Sequence, residues 1–195
     1  MFTASHNPAQ YNGIKLCRAG ATPVGQDSGL ATIRDMVADP IPPSGDPIGT
    51  VTERDLLADY AAFLQELVDI SEIRPLRVVV DAGNGMAGHT APSVLDLPGL
   101  TVIPLYFELD GTFPNHEANP IEAANLRDLQ AAVLAEHADL GLAFDGDADR
   151  CFLVDERGEL VSPSALTGLV AARELAKHPG SSIIHNLITS RAVPE

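Results

Sequence analysis

From Leu76 to Phe144, apolar strand-like runs alternate with helix-like segments, and this order constrains the fold more than any other feature. The predicted strands are LRVVVDA (76–82), LTVIPLYF (100–107) and DLGLAF (139–144). The predicted helices between them are TAPSVLDL (90–97) and NLRDLQAAVLAEHA (125–138). A β-α-β-α-β order predicts an α/β protein with a mixed, mostly parallel sheet and helices on both faces, because parallel strands need crossovers that pack against the sheet.

A linker and a helix are expected before this unit. PIPPSGDPIGT at 40–50 has the Pro and Gly content of a linker. TERDLLADYAAFLQELVD at 52–69 has the apolar spacing of an amphipathic helix, and Thr52 and Asp55 fit a capping box at its start.

After the unit, CFLVD and ELV flank a Glu-Arg-Gly turn at 156–158, which predicts a hairpin. A helix should then start at Ser162-Pro163 and run to Lys177, since proline is favoured in the first helical position. SSIIHNL at 181–187 is expected to form one more strand.

The charge of the chain limits its partners. With 12 basic and 27 acidic residues the formal net charge is −15, so a nucleic-acid partner is not expected. Two cysteines do not make a disulfide framework and fit a reducing cytoplasm. No signal peptide and no apolar run long enough for a membrane span are expected.

The segment FDGDADR at 144–150 carries three alternating carboxylates, Asp145, Asp147 and Asp149. Three carboxylates at this spacing repel one another unless a cation joins them, and hard oxygen ligands suit Mg²⁺. The loop follows a predicted strand, at the sheet edge where α/β proteins bind ligands. The sequence therefore predicts a magnesium site here, in preference to an acidic surface turn.

Two other loop types compete for the same residues. Glu156 falls at position 12 of an EF-hand that begins at Asp145, but Arg150 stands where that loop needs glycine and strands flank it. A strand that ends in D-x-D is also typical of haloacid-dehalogenase phosphatases, which would carry phosphate on Asp145. Their next residues are usually Gly-Thr, and here they are Ala148-Asp149, so this alternative is weak.

The segment DAGNGMAG at 81–88 spells G-x-G-x-x-G directly after a strand, as in dinucleotide-binding modules. The predicted helix that follows is short and contains Pro92, which would offer a pyrophosphate a poor helix N-terminus. A tight strand-to-helix turn that needs glycine backbone angles is the simpler interpretation. The dinucleotide-binding module stays an alternative function.

The opening stretch MFTASHNPAQYNGIK is either a surface turn or a nucleophile loop. In the second interpretation Ser5 carries the phosphate, and His6 and Lys15 are its charge or proton-transfer partners. His116-Glu117, in FPNHEANP, is interpreted as part of a polar loop rather than as a metal site.

Together TASHNPAQYNGIK, DAGNGMAG, GTFPNHEANP and FDGDADR, in that order, resemble the α-D-phosphohexomutases, the phosphomannomutase/phosphoglucomutase family. The match extends from Phe2 to Glu195, and CFLVDERGELVSP is most similar to bacterial phosphomannomutases. The resemblance implies four domains around one cleft, and interconversion of hexose 6-phosphate and hexose 1-phosphate, with mannose and/or glucose as the sugar.

The resemblance also implies roles for individual residues. Ser5 would be the phosphoserine, with His6 beside it and Lys15 as the nearby cation and proton-transfer group. Mg²⁺ would be held by the three aspartates and a phosphoserine oxygen, and Arg150 would contact phosphate. Hexose 1,6-bisphosphate would be the intermediate and activator.

The same resemblance implies that the chain is a middle fragment. Residues 1–53 would be the end of domain one, 54–160 domain two, and 161–195 the start of domain three. The family's sugar-selecting and phosphate-clamping loops would lie outside it, so the fragment by itself is expected to be inactive.

Overall fold

The structure, a computed structural model, describes residues 1–40, 43, 45, 49–68, 70 and 73–194. More than half of the predicted linker 40–50 lies outside these residues. The helices are α1 (Leu30–Val37), α2 (Leu57–Leu67), α3 (Ala87–Val94), α4 (Arg127–Ala135) and α5 (Pro163–Lys177). The strands are β1 (Leu76–Asp81), β2 (Leu100–Leu105), β3 (Leu140–Phe144) and β4 (Cys151–Asp155). Short 3₁₀ turns occupy Ala19–Ala21, Gln26–Ser28 and Ala123–Leu126.

The four strands form one sheet in the order β2-β1-β3-β4. Strands β2, β1 and β3 are parallel, and β4 pairs antiparallel with β3. The sheet is therefore mixed and mostly parallel, as the sequence predicts. Parallel pairing places the ends of β1 and β3 at the same edge, where Asp81 is paired with Ala143.

Both faces of the central strand β1 are buried, which explains its continuous apolar run. Val79 packs with Leu129 and Val133 of α4 on one face. Val78 and Val80 pack on the opposite face with Ala91 of α3. The prediction of helices on both faces is confirmed.

Helix α2 begins later than predicted, and its predicted capping box is wrong. The first helical residue is Leu57, Thr52 lies outside the helix, and Oδ1 of Asp55 accepts the Leu57 amide at 2.9 Å. The Asp55 carboxylate therefore satisfies one of the amides left free at the start of the helix. The helix ends at Leu67, and residue 69, the last of the predicted helix, is outside the described part of the chain.

Helix α2 has a row of apolar side chains along one face, and within the described residues only part of that row packs against another element. The helix packs against α3, with Ala61 buried and the Gln65 side-chain amide 3.1 Å from the carbonyl oxygen of Val94. The remaining large apolar side chains of the row are exposed: Leu56, Tyr60, Phe63, Leu67 and Val68.

The predicted strand at 181–187 is wrong. No described strand lies beside this segment, and Ile184 and Leu187 are fully exposed. An extended segment needs a neighbouring strand to satisfy its backbone hydrogen bonds, which sequence pattern alone does not supply. The preceding helix α5 is confirmed, with Pro163 as its first residue.

The predicted hairpin after β3 is confirmed. The amide of Asp155 donates to the carbonyl oxygen of Glu159 at 2.8 Å, and Gly158 takes the left-handed conformation that this turn requires. Within the described residues, no helix combines the length and apolar character needed to cross a membrane.

Candidate active site

The acidic loop, residues 145–150, connects β3 to β4. Asp145 follows the last residue of β3 directly and is fully buried. Ala148 has a φ of 58°, and its amide donates to the carbonyl oxygen of Asp145 at 3.0 Å, which folds the loop tightly. Asp145, Asp147 and Asp149 each offer one carboxylate oxygen, and these oxygens lie within 4.8 Å of one another. The loop therefore brings together the three aspartates that the sequence singled out.

The donor set of this group fits a hard divalent cation. Oδ1 of Asp147 is buried and has no hydrogen-bond partner, and the whole side chain is only 3% exposed. A buried carboxylate oxygen without a donor is costly, and a cation would satisfy it. A cation would also remove the repulsion between the three carboxylates. The three aspartates can thus hold a metal ion.

Ser5 lies beside the acidic loop, although 140 positions separate it from Asp145. Its Oγ donates to Oδ2 of Asp145 at 3.1 Å, and Nδ1 of His6 lies 3.3 Å from the same Oγ. Ser5 has a left-handed φ of 56°, and its amide donates to Oγ1 of Thr3 at 2.8 Å. The Ser5 carbonyl oxygen packs on Gly146, where any side chain would overlap it. The fold thus directs the serine hydroxyl to the carboxylates.

Lys15 lies on the same side of the acidic loop. Its Nζ donates to Oδ2 of Asp147 at 3.0 Å and to Oδ2 of Asp149 at 3.1 Å. These hydrogen bonds, that to Asp147 first, raise the pKa of Lys15 above its usual value. Burial acts to raise the pKa of Asp147, but the hydrogen bonds from Lys15 and Thr3 outweigh it and lower that pKa. At neutral pH the lysine is therefore a cation bound to two carboxylates.

Arg150 closes the acidic loop by binding its first residue. Its Nε donates to Oδ2 of Asp145 at 2.9 Å, and its backbone amide donates to Oδ1 at 3.1 Å. Nη2 forms an ion pair with Oδ2 of the same carboxylate at 2.7 Å. The arginine side chain is 29% exposed, although its Nη2 is buried. Its contact with phosphate stays a prediction.

Thr3 was missed by the sequence reasoning. Its Oγ1 donates to Oδ2 of Asp147 at 2.9 Å and accepts the Ser5 amide. One hydroxyl therefore joins the serine loop to the acidic loop. The signal was present in the TASHNP motif, where a threonine stands two positions before the serine.

The turn after β1 supports the acidic loop from the other side. The Met86 amide donates to the Gly146 carbonyl oxygen at 2.9 Å. A Cβ at Gly85 would lie 2.7 Å from that same oxygen, and one at Gly88 would overlap the carbonyl oxygen of Phe107. Neither of these two glycines has a positive φ, so both are needed for close backbone approach rather than for unusual backbone angles.

The same contacts argue against a dinucleotide site. The amides of Gly85, Met86 and Gly88 already donate within the chain, and α3 contains Pro92. A pyrophosphate would need such amides free at a helix N-terminus. The EF-hand alternative also fails, because β3 and β4 rather than helices flank the acidic loop.

Comparison with known proteins decides the family. Two models of the phosphoglucomutase/phosphomannomutase group match, alpha/beta/alpha domain I on residues 1–40 and alpha/beta/alpha domain II on residues 58–158. The chain belongs to the phosphoglucomutase/phosphomannomutase family. This confirms the resemblance that the motifs indicate and leaves the haloacid-dehalogenase alternative without support.

Individual relatives agree with the family assignment. A phosphomannomutase/phosphoglucomutase of Pseudomonas aeruginosa is 43% identical over 191 residues, which cover 98% of this chain and 40% of the relative. A phosphomannomutase of Salmonella montevideo is 40% identical, covering 94% and 42%. A crystal structure of a family protein from Burkholderia thailandensis superposes with a TM-score of 0.78 at 34% identity, covering 92% of this chain and 38% of the other. The chain thus spans about 40% of the length of the curated relatives it matches.

Proposed function

We propose that this chain supplies the phosphoserine and the metal-binding loop of a phosphohexomutase. The enzyme would interconvert hexose 6-phosphate and hexose 1-phosphate, with mannose and/or glucose as the sugar. The observation that carries the proposal is the Ser5 hydroxyl, 3.1 Å from Asp145 within a group of three carboxylates. The names of the relatives from Pseudomonas aeruginosa and Salmonella montevideo support the reaction and the substrate class.

The reaction consists of two phosphoryl transfers of the same type. In the first, the bond between phosphorus and Oγ of phosphorylated Ser5 breaks as a sugar hydroxyl oxygen bonds to phosphorus. The hydroxyl loses a proton and Oγ gains one. The resulting hexose 1,6-bisphosphate turns over and returns its other phosphate to Ser5 by the reverse step. Such transfers depend on positioning and charge neutralisation more than on covalent help.

His6 and Lys15 would handle the proton at Ser5. His6 Nδ1 lies 3.3 Å from Oγ and can exchange a proton with it directly. Lys15 is an ammonium ion held beside the same loop, so it can donate a proton or offset phosphate charge once it leaves its carboxylates. Both roles require the transferred phosphate to lie between the serine loop and the acidic loop.

Asp145, Asp147, Asp149 and an oxygen of phosphorylated Ser5 would hold Mg²⁺. When bound, the ion supplies charge neutralisation for the phosphoryl group. Arg150, whose side chain is 29% exposed, would contact the phosphate. The buried, unpaired Oδ1 of Asp147 is the structural support for this ligand set.

The domain arrangement follows the family. Residues 1–53 would belong to domain one, 54–160 to domain two and 161–195 to domain three, and the ranges of the two family models support the first division. The enzyme would bind a phosphorylated hexose as its substrate. It would act in the cytoplasm.

Phosphopeptide mapping tests the proposal. A full-length protein that carries this sequence is incubated with labelled hexose 1,6-bisphosphate, and label is expected on the peptide that contains Ser5. Ser5→Ala should abolish labelling and activity, whereas Ser181→Ala, a change at an exposed serine after α5, should leave both intact. Label on an aspartate, or activity retained in Ser5→Ala, would overturn the proposal.

A further inference from the structure

An Asp–His pair lies at the end of β1, in residues that the proposed chemistry does not use. Nε2 of His116 lies 2.9 Å from Oδ2 of Asp81, the last residue of β1. Asp81 is 1% exposed, and its Oδ1 accepts the Gly83 amide at 2.8 Å. The His116 side chain is 13% exposed. The pair therefore attaches the segment around His116 to the end of the central strand.

The partners of His116 define its charge. Nδ1 lies 2.9 Å from the carbonyl oxygen of Glu117, and Nε2 faces the Asp81 carboxylate. A carbonyl and a carboxylate accept hydrogen bonds, so both contacts favour the doubly protonated form of the ring. The hydrogen bond to Asp81 accordingly raises the pKa of His116. Removing either partner of such an ion pair would leave the other charge uncompensated and would destabilise the fold.

A second connection joins the same two segments. The Asn115 side chain donates to Oδ1 of Asn84 at 2.7 Å, and Nδ2 of Asn84 donates to the Glu108 carbonyl oxygen at 2.9 Å. The Asp110 amide donates to the Asn84 carbonyl oxygen at 3.1 Å. Residues 108–118 thus hold the 81–86 turn through its side chains and its backbone.

The 81–86 turn in turn holds the acidic loop. Met86 donates its amide to Gly146, and Gly85 packs on the Gly146 backbone. Ala118, two residues after His116, lies near both turns: a Cβ at Gly146 would be 3.6 Å from its Cβ, and a Cβ at Gly83 would be 3.7 Å from it. Contacts therefore run without a gap from His116 to the loop that carries the aspartates.

We propose that the Asp81–His116 pair is a positioning device that fixes the 81–86 turn and, through Met86 and Gly146, the geometry of the acidic loop. His116 and Asp81 touch no reacting group in this arrangement. They act by keeping Gly146 in the one place where Ser5 can pack on it. The expected effect of the pair on cation binding rests on the function proposed above. Its expected effect on the order of the acidic loop does not depend on that function.

Amide hydrogen exchange tests the positioning role on this chain. In His116→Phe, which keeps a ring but removes both hydrogen bonds, the Met86 and Ala148 amides should exchange about tenfold faster or more. Val79 in the core should accelerate less, by no more than the loss of global stability. Tyr106→Phe is the matched control, because Tyr106 touches the His116 ring edge-on but its hydroxyl binds Asp128 instead. If His116→Phe does not fold, His116→Gln is measured in its place.

A titration with Mn²⁺ separates this proposal from the proposed function. The His116 variant should bind Mn²⁺ about tenfold more weakly than wild type, and Tyr106→Phe should bind it equally well. Wild type that binds no Mn²⁺ would remove the cation site, but the exchange rates would still decide the positioning role. Unchanged exchange at Met86 and Ala148, or equal acceleration at Val79, would overturn it.

Discussion

At the scale of single residues, the two carboxylate oxygens of Asp147 have different surroundings. Oδ2 accepts hydrogen bonds from Thr3 and Lys15, whereas Oδ1 is buried without a donor. One oxygen therefore joins the serine loop to the acidic loop, and the other is left for a cation. A single residue therefore connects Thr3, Lys15 and an oxygen that a cation can bind.

Replacing Asp147 should therefore weaken metal binding. We expect Asp147→Ala to bind Mg²⁺ about tenfold more weakly or worse, because it removes one of the three carboxylates that can bind the ion. Calorimetric titration of this chain measures the change. Asp39→Ala, a change at an exposed aspartate after α1, is the control. Equal Mg²⁺ binding by wild type and Asp147→Ala would remove the metal assignment.

Gly146 is the second residue on which the site depends. A methyl group there would overlap the Ser5 carbonyl oxygen, so Gly146→Ala should move Ser5 away from Asp145. A displacement of about 1 Å in a reacting group can reduce a rate about 100-fold. Phosphate labelling of Ser5 in the full-length protein should fall accordingly.

Gly49→Ala provides the control for this substitution, since a Cβ at Gly49 would meet nothing within 4 Å. Labelling that is equal in the two alanine variants would show that the contact between Ser5 and Gly146 does not position the serine.

At the scale of elements, the site is built where segments distant in sequence meet the ends of β1 and β3. Parallel pairing puts the 81–86 turn next to the acidic loop, and both turns are held by backbone contacts at Gly85 and Gly146. The segment 108–118 binds the first turn, and residues 2–15 bind the second. The sheet therefore acts as the base, and four irregular segments form the site on its edge.

The attachment of residues 108–118 should depend on pH. Because folding raises the pKa of His116 above 6.5, its pairing stabilises the fold fully below that value and is lost as pH rises through the folded-state pKa. Asp81 and Asp128 supply the negative charge around it. Tyr106, whose hydrogen bond to Asp128 raises its pKa to about 12, keeps its proton in this range.

Urea unfolding of wild type and His116→Gln measures the effect. The wild type should be more stable at about pH 6, and the difference should shrink at about pH 9. A difference that stays constant or grows over this interval would contradict the ion-pair interpretation.

At the scale of the whole molecule, the chain spans about 40% of the length of its curated relatives. Positioning of reactants contributes ~7–11 kcal/mol to reactions such as phosphoryl transfer, and it requires groups that grip the sugar and its second phosphate. We expect this chain by itself to show no measurable mutase activity.

A coupled assay with mannose 1-phosphate and glucose 1-phosphate tests this expectation, with a full-length relative as the positive control. The chain should still bind Mg²⁺ through the acidic loop, which separates absence of turnover from misfolding. Turnover close to that of the relative would show that the chain holds all parts of the active site.

The local sequence pattern was sufficient to predict an element when the residues of that element determine its conformation. The strands and α5 were predicted to within a few residues, because buried parallel strands and a proline at the first helical position leave clear signals in the sequence. Pattern failed at 181–187 because a strand needs a partner, and at Thr52 because several residues near a helix start can serve as its cap.

The sequence by itself determined the type of fold and the residues of the acidic loop: alternating elements predicted the sheet, and the spacing of Asp145, Asp147 and Asp149 predicted a group that can hold a cation. Only the tertiary structure decided how these groups meet. Contacts such as Ser5 with Asp145, separated by 140 positions, depend on chain packing and leave no periodic signal. The roles of Thr3 and Gly85 arise in the same way, because each depends on a distant group that it faces: the Asp147 carboxylate for the Thr3 hydroxyl and the Gly146 backbone for Gly85.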